Sequence, residues 1–279
     1  MRLIEAVRRT PEDSALLLSG GIDSAAVLAA LVALKREPLL LTANLGPEFS
    51  VDTAIARAMA TELALPHVIV HVNRDYATLE DTVRRVIRET GRPEKRHVEV
   101  VGSLYWLLHA FGPMEVRNAI TGMTAGDVFG DSKKARMIRY YEGEEAARAY
   151  SRSDILYRKA DHTDWTLTKL AWQGYGVRIW DAYRLRPLRQ WLLGTTMGEL
   201  HGSGHKTVAT DAFPELFAGH PEWLREHANL QIVGGFRDWF GTLIDSPLNR
   251  GGYRAVAPIY RDILREERAG VTPLALGLN

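Results

Sequence analysis

Ser19-Gly20-Gly21-Ile22-Asp23-Ser24 is the stretch on which the fold turns. It follows an apolar run, Ala15-Leu16-Leu17-Leu18, that reads as a short buried strand. It opens onto Ala25 to Lys35, a helix rich in Ala, Leu and Val. The two glycines let the backbone turn sharply and leave its amides bare. A helix amino terminus then presents N–H groups and a partial positive charge to whatever sits there. Ser19 and Ser24 add hydroxyl donors, so the expected ligand is a phosphate group. Asp23 would repel a bare phosphate, and its presence implies a bridging cation, with Mg²⁺ the natural choice. The loop has neither the lysine of GxxxxGK(S/T) nor the spacing of GxGxxG. The competing reading is a plain turn in which Asp23 or Ser24 caps the helix. The coincidence of strand, helix, two hydroxyls and one acid favours the phosphate site.

Outward from this loop, short apolar runs alternate with helical patterns. Pro38 to Asn44 and His67 to Asn73 read as strands, and Asn118 to Thr121 as a fourth that ends at Gly122. Between them lie helices over Val51 to Leu63, Asp75 to Thr90 and Val98 to Phe111. In the first of these, Ala54, Ala56, Ala58 and Ala60 allow close packing; in the second, Leu79, Val83 and Val86 form an apolar stripe. Continuous apolar strands separated by helices predict an α/β fold, a doubly wound parallel sheet. Such sheets bind ligands beyond the carboxyl ends of their strands. After Gly130 the pattern turns helical: Lys133 to Tyr150, Leu156 to Trp172, and Leu185 to Leu200 with Pro187 near its start. Val177-Arg178-Ile179 reads as a short extended piece, and His201 to His205 as a glycine-rich loop. The remainder to Arg268 reads as mainly helical, before a frayed tail over 269–279. A single domain over 1–279 is expected, with an α/β core over 1–130 and an appended helical part over 131–268.

Composition narrows the function. The chain has 279 residues, 46% of them hydrophobic, with 35 Lys and Arg against 34 Asp and Glu. A net charge of +1 excludes binding of nucleic acid through bulk charge. The absence of cysteine excludes disulfide scaffolds, Cys-ligated zinc, iron–sulfur clusters and a cysteine nucleophile. The start of the chain is charged and lacks the apolar run of a signal peptide. The longest apolar run, Ala25 to Leu34, is about half of the roughly 20 residues a spanning helix needs. A soluble, cytoplasmic protein without membrane contact is expected.

The six loop residues match the SGGxDS signature of the PP-loop ATP pyrophosphatases. The resemblance implies an adenine nucleotide alpha hydrolase-like fold and cleavage of ATP between its α and β phosphates. Pyrophosphate would be held by the loop, a substrate would become an adenylate, and a nucleophile would displace AMP. Thiolating members use cysteines and the deazapurine nitrile-forming member carries a Cys-ligated zinc, whereas the tRNA lysidine synthetase branch needs neither. From the loop to about Phe240 the chain most resembles the synthetase domain of asparagine synthetase and β-lactam synthetase. Thr121-Gly122-Met123-Thr124-Ala125-Gly126-Asp127-Val128-Phe129-Gly130 resembles that family's TGEGADELFGG. Asp161-His162 and Gly174 to Asp181 resemble its DR…GLEVRVPFLD segment. Lys206 stands where the family has a catalytic lysine, and Gly234-Gly235-Phe236-Arg237-Asp238-Trp239 resembles KxGF…W. Met123 replaces the family's glutamate, and Gly126 replaces the aspartate of GADE, with an acid kept next door at Asp127. No glutaminase domain is expected, so the amine is expected to be free ammonia or part of a second substrate.

The resemblance implies ATP and Mg²⁺ as cofactors, and a small-molecule carboxylate with an amine or ammonia as partners. Ser19, Gly20, Gly21 and Ser24 would donate to the phosphates. Asp23 and Asp127 would ligate Mg²⁺, and Lys206 would neutralise the α-phosphate. Gly122 would permit close approach of the adenosine, with Leu18, Ala43 and Asn44 framing the adenine. Lys206 also reads as a solvated loop lysine, and Asp127 as a capping acid before Val128. His67 and His71 share a strand face without a third ligand and read as structural; His201 and His205 read as solvated. The basic run Lys133, Lys134, Arg136 and Arg139 reads as a solvated helix face. Together with Arg184, Arg186 and Arg189 it also motivates an enzyme of the same superfamily acting on a nucleic acid or base. Met123 and Gly126 motivate a third reading, a nucleotide-binding protein without catalysis. Aromatic-rich helices leave a homo-oligomer open.

Overall fold

The structure, a computed structural model, describes residues 2–90, 95–157, 175–201, 211–224, 239, 261–263 and 265–266. Its centre is a parallel sheet formed by β1 (Ala15–Leu17), β2 (Leu40–Leu45), β3 (His67–Val72), β4 (Asn118–Thr121) and β5 (Arg178–Asp181). The spatial order is β3-β2-β1-β4-β5. Leu16 lies beside Leu40 on one flank and beside Ile120 on the other. The chain winds outward from β1 through β2 to β3, then returns to the far side of β1 with β4. The crevice at which winding reverses, between β1 and β4, is where open α/β sheets hold ligands.

Side chains alternate across the strands, so the sheet feeds two cores. Leu16, Leu18, Leu40 and Ile120 join the first, with α1 (Arg2–Val7), α2 (Ile22–Ala33) and α3 (Val51–Glu62). Ala15, Leu17, Leu41, Ala119 and Ile179 join the second, with α4 (Tyr76–Thr90) and α5 (Lys95–Met114). Each fully buried Leu or Val contributes about 1.5–3 kcal/mol. The expected stripe of Leu79, Val83 and Val86 is entirely buried in the second core. Ser50 starts α3 by accepting the Thr53 amide at 3.1 Å. Arg36 closes the end of α1, donating to the carbonyl oxygens of Val7, Arg8 and Thr10 at 3.1–3.2 Å.

The expected doubly wound parallel sheet is present, and the differences lie in the second half. Lys133 to Tyr150 is two helices, α7 (Lys133–Glu142) and α8 (Glu144–Tyr157), because Gly143 adopts φ +94. A short α6 (Ala125–Val128) precedes them. Leu185 to Leu200 divides into α9 (Arg186–Gly194) and α10 (Met197–His201), since Thr195 is extended. Pro187 sits in the first turn of α9, where its missing N–H costs nothing. The extended piece at Val177 to Ile179 becomes β5, hydrogen-bonded to β4, so the second half supplies an edge strand as well as helices. The expected helix to Trp172 runs into residues outside the described set, as do Lys206 and the tail. Among the described residues no helix is long and apolar enough to cross a membrane.

His67 on β3 sits 2.9 Å from the Thr42 hydroxyl, which itself donates to the Leu18 carbonyl. Burial, and secondarily the Arg57 charge, hold its imidazole below the usual histidine range. Its structural reading fits this placement, and among the described residues no group of three ligands could hold a metal. The unfolded chain therefore binds the histidine proton more readily than the folded one. Stability is expected to fall as pH drops through about 6.5. Urea midpoints measured across pH 7.5 to 5 should show a smaller fall for His67→Gln than for the parent.

Candidate active site

The loop between β1 and α2 sits in the crevice between β1 and β4. Gly20 has φ +75, and a Cβ there would lie 2.2 Å from the Asp52 carbonyl oxygen in the first turn of α3. On the other flank Gly122 ends β4, where a Cβ would stand 2.9 Å from the Asp23 carbonyl carbon and oxygen. The loop backbone is thus held between two other backbone segments, with no room for a side chain at either contact. Gly122 serves the loop itself; its close neighbour is protein backbone, which accounts for the glycine without the adenosine contact expected of it.

Inside the loop the two serines bind each other. The Ser24 hydroxyl accepts the Ser19 amide at 3.1 Å and donates to the Gly21 carbonyl at 3.0 Å, and the two hydroxyl oxygens lie 3.0 Å apart. Gly21 is the N-cap of α2, and no side chain caps that helix. Neither Asp23 nor Ser24 plays the capping part of the plain-turn reading. The positive end of a twelve-residue helix is left for a ligand. Ser19 and Asp23 are half-buried, whereas Gly20, Gly21 and Ser24 are buried.

A second cluster stands beside the loop. The Tyr183 hydroxyl donates to the Asp23 carbonyl at 2.9 Å, and its ring meets Phe129 edge-on. Asp181, at the carboxyl end of β5, is 5% exposed. It accepts the Thr124 hydroxyl and the Tyr183 amide, the latter at 3.1 Å, and lies 3.5 Å from the Arg184 guanidinium. Burial pushes its carboxyl up to about 6, against the pull of these partners, and the Asp127 charge adds to the rise. Burial, with the charges of Asp23 and Asp181, also raises the Tyr183 phenol far above its ordinary value. Asp23, Asp127 and Asp181 therefore share one electrostatic neighbourhood.

The remaining expected residues separate. Asp127 is half-buried, the third residue of α6, and its amide bonds back to the Thr124 carbonyl at 3.1 Å. Leu18 is core beneath the loop and Ala43 packs against the second core. Asn44 is spent on its own turn: it donates to the Gly46 and Glu48 carbonyls at 3.0 Å and accepts the Ser50 amide at 3.1 Å. Any adenine framing there falls to backbone, since the side chain is engaged. Lys206 lies outside the described residues. His201 departs from its solvated reading: it is half-buried, and its Nε2 donates to the Phe129 carbonyl at 3.0 Å. Tyr183 and Thr124 carry no motif signal of their own. Asp181 had one, as the last residue of the Gly174 to Asp181 segment, but only the pairing of β5 with β4 brings it to the crevice.

The donor set is one of amides, hydroxyls and carboxylates, which suits a phosphate chain and a hard cation. Mg²⁺ takes one or two carboxylates and fills its other positions with phosphate oxygens and water, so Asp23 and Asp127 would suffice as the protein ligands of such an ion.

A family model for asparagine synthase matches residues 2–227. The chain belongs to the asparagine synthase family. Membership implies the use of ATP by an enzyme of the ATP pyrophosphatase kind. The β1–α2 loop, the segment that follows β4 and the end of β5, all within the matched residues, meet in this crevice. Comparison with curated proteins gives no match. Among solved structures, the chain is similar to the U34-tRNA thiolase NcsA from Methanococcus maripaludis, solved with its 4Fe-4S cluster. That likeness covers 85% of this chain and 77% of that one, at 16% identity and a TM-score of 0.34.

Two substitutions probe the crevice of this family member. Gly122→Ala drives a methyl group into loop backbone and is expected to cost about 1–3 kcal/mol. Tyr183→Phe removes one hydrogen bond and is expected to cost about 1 kcal/mol. Chemical denaturation reads both costs. Calorimetric titration with ATP should show weaker binding in each, with the larger loss in Gly122→Ala.

Proposed function

We propose that this protein is an AMP-forming ligase: it adenylates a carboxylate and passes the acyl group to ammonia or an amine. The observation that carries the reading is the uncapped amino terminus of α2, held between the backbone of Asp52 and Gly122. That terminus supplies amide donors and positive potential where the β and γ phosphates would lie. A substrate carboxylate oxygen attacks the α-phosphorus, and the bond to the oxygen bridging the α and β phosphates breaks. Pyrophosphate carries that electron pair away. An amine nitrogen then attacks the acyl carbon, AMP leaves, and the nitrogen gives up a proton to solvent.

The chain's own residues orient and neutralise. The Ser19 hydroxyl would donate to the leaving diphosphate, and the Ser24 hydroxyl holds the loop in shape through Gly21 and Ser19. Asp23 and Asp127 would hold Mg²⁺, which offsets phosphate charge when bound. Tyr183 keeps the Asp23 backbone in place, and Asp181 positions Tyr183 and Thr124. Lys206 takes the role of α-phosphate cation by resemblance. Met123, in place of the family's glutamate, removes an acid from the amine side, which favours an acceptor other than aspartate with ammonia. A small-molecule acid and amine in the cytoplasm remain the proposed partners.

Release of pyrophosphate and AMP, followed with a panel of carboxylic acids and amines, tests the reading. Acid-dependent pyrophosphate exchange into ATP is expected, with loss of about 100-fold or more in Asp23→Asn, Asp127→Asn and Lys206→Ala. Ser24→Ala should weaken ATP binding through the loop. Cleavage of ATP to ADP and phosphate under the same conditions would overturn the proposal.

A further inference from the structure

A concave region of the described surface lies between α1 and α9, which pack side by side. Leu3, Ala6 and Val7 face the core from one helix, and Leu188 and Leu192 from the other. This turns the polar edges of both outward. A cavity of about 580 Å³ between them is lined by Arg2, Arg8, Arg9, Glu5, Gln190 and Trp191. A neighbouring cavity of about 430 Å³ shares Gln190 and adds Arg184, Arg186 and Arg189. Glu5 is paired with Arg2 at 3.0 Å, and Arg184 is drawn to Asp181. Arg8, Arg9, Arg186 and Arg189 are exposed, and among the described residues their side chains meet no acid and donate no hydrogen bond. On a chain of net charge +1, this is a strong local excess of one sign.

Both helices are anchored from beneath. Arg36 binds the carboxyl end of α1. Buried Arg148 does the same for α9, donating to the Leu192 carbonyl and, at 2.7 Å, to the Thr195 carbonyl. The outer arginines therefore project from fixed backbone.

We infer that this trough binds the phosphate backbone of a nucleic-acid strand. The guanidinium groups spread over the turn that follows α1, over α9 and over two neighbouring cavities, so a single compact anion would answer only part of them. A chain of phosphates answers all of them. Arginine forks match phosphate oxygens two at a time, and their planes, with half-buried Trp191, offer faces on which bases stack. The site is separate from the adenylation reading, because none of the four free arginines belongs to the crevice.

Fluorescence anisotropy of labelled single-stranded and duplex RNA and DNA, read with the full-length protein, tests the inference. Binding to at least one of them is expected, weakening about tenfold or more between roughly 50 and 200 mM salt. The double variants Arg186→Glu with Arg189→Glu, and Arg8→Glu with Arg9→Glu, should each weaken it about tenfold or more. The same reversal at Lys133 and Lys134, on α7, should change it by less than about threefold. Unchanged melting temperature and unchanged ATP titration in the arginine variants show that fold and crevice are intact. The inference is overturned by absence of binding at low salt, by an equal loss in the lysine variant, or by polyglutamate competing as well as the nucleic acid. Failure here leaves the ATP titrations untouched, so the two readings fall separately.

Discussion

The crevice depends on backbone approaching backbone. The β1–α2 loop touches α3 at Asp52 and β4 at Gly122, closer than any side chain would permit. Two absent Cβ atoms, at Gly20 and Gly122, set the position of the loop relative to the sheet. That position aims the uncapped end of α2 out of the crevice. The contact is repulsive in character and so has a narrow tolerance: a methyl group at either glycine must move a main chain, and main chains in a packed core move as a unit. The helix dipole and the serine hydroxyls act only because this geometry puts them there.

Around that loop the charges are arranged with the same dependence on burial. Asp181 is enclosed, and its carboxyl is raised because Thr124, the Tyr183 amide and Arg184 only partly replace water. A buried acid at the end of β5 and two half-buried acids at Asp23 and Asp127 form a graded set. The half-buried pair can meet a cation and phosphate without full desolvation, while the enclosed one holds the surrounding hydroxyl and amide in place. Arginines packed against helix ends work in the opposite sense elsewhere. Arg36 and Arg148 satisfy the carbonyls that helix ends leave open, and thereby fix the turn after α1 and the helix α9, which carry the free arginines.

Much of the sheet was legible along the chain because each strand is a continuous apolar run between helical patterns, the mark of burial on both faces. The loop between β1 and α2 was legible because its glycines, serines and acid are contiguous. The short β5 was only half legible: Arg178 to Asp181 mixes charged and apolar residues, and its pairing with β4 is what makes it a strand. The breaks at Gly143 and Thr195 lie inside helical periodicity, and local propensity alone does not show which turn will fail to continue. Asn44 looked available for a ligand, but its amide closes the turn from Asn44 to Ser50, a use visible only from the folded loop.

Sequence alone determined the class of the fold, the loop and the family, since all three rest on residues close together in the chain and on a periodicity that counts only neighbours. The tertiary structure decided what those residues do to one another. It made Gly122 a spacer for the loop, tied Tyr183 to Asp23 across 160 positions, turned Asp181 inward, and set α1 against α9. Each of these joins residues from distant segments. Their energies come from burial and from approach distances, quantities that exist only once the chain has closed on itself.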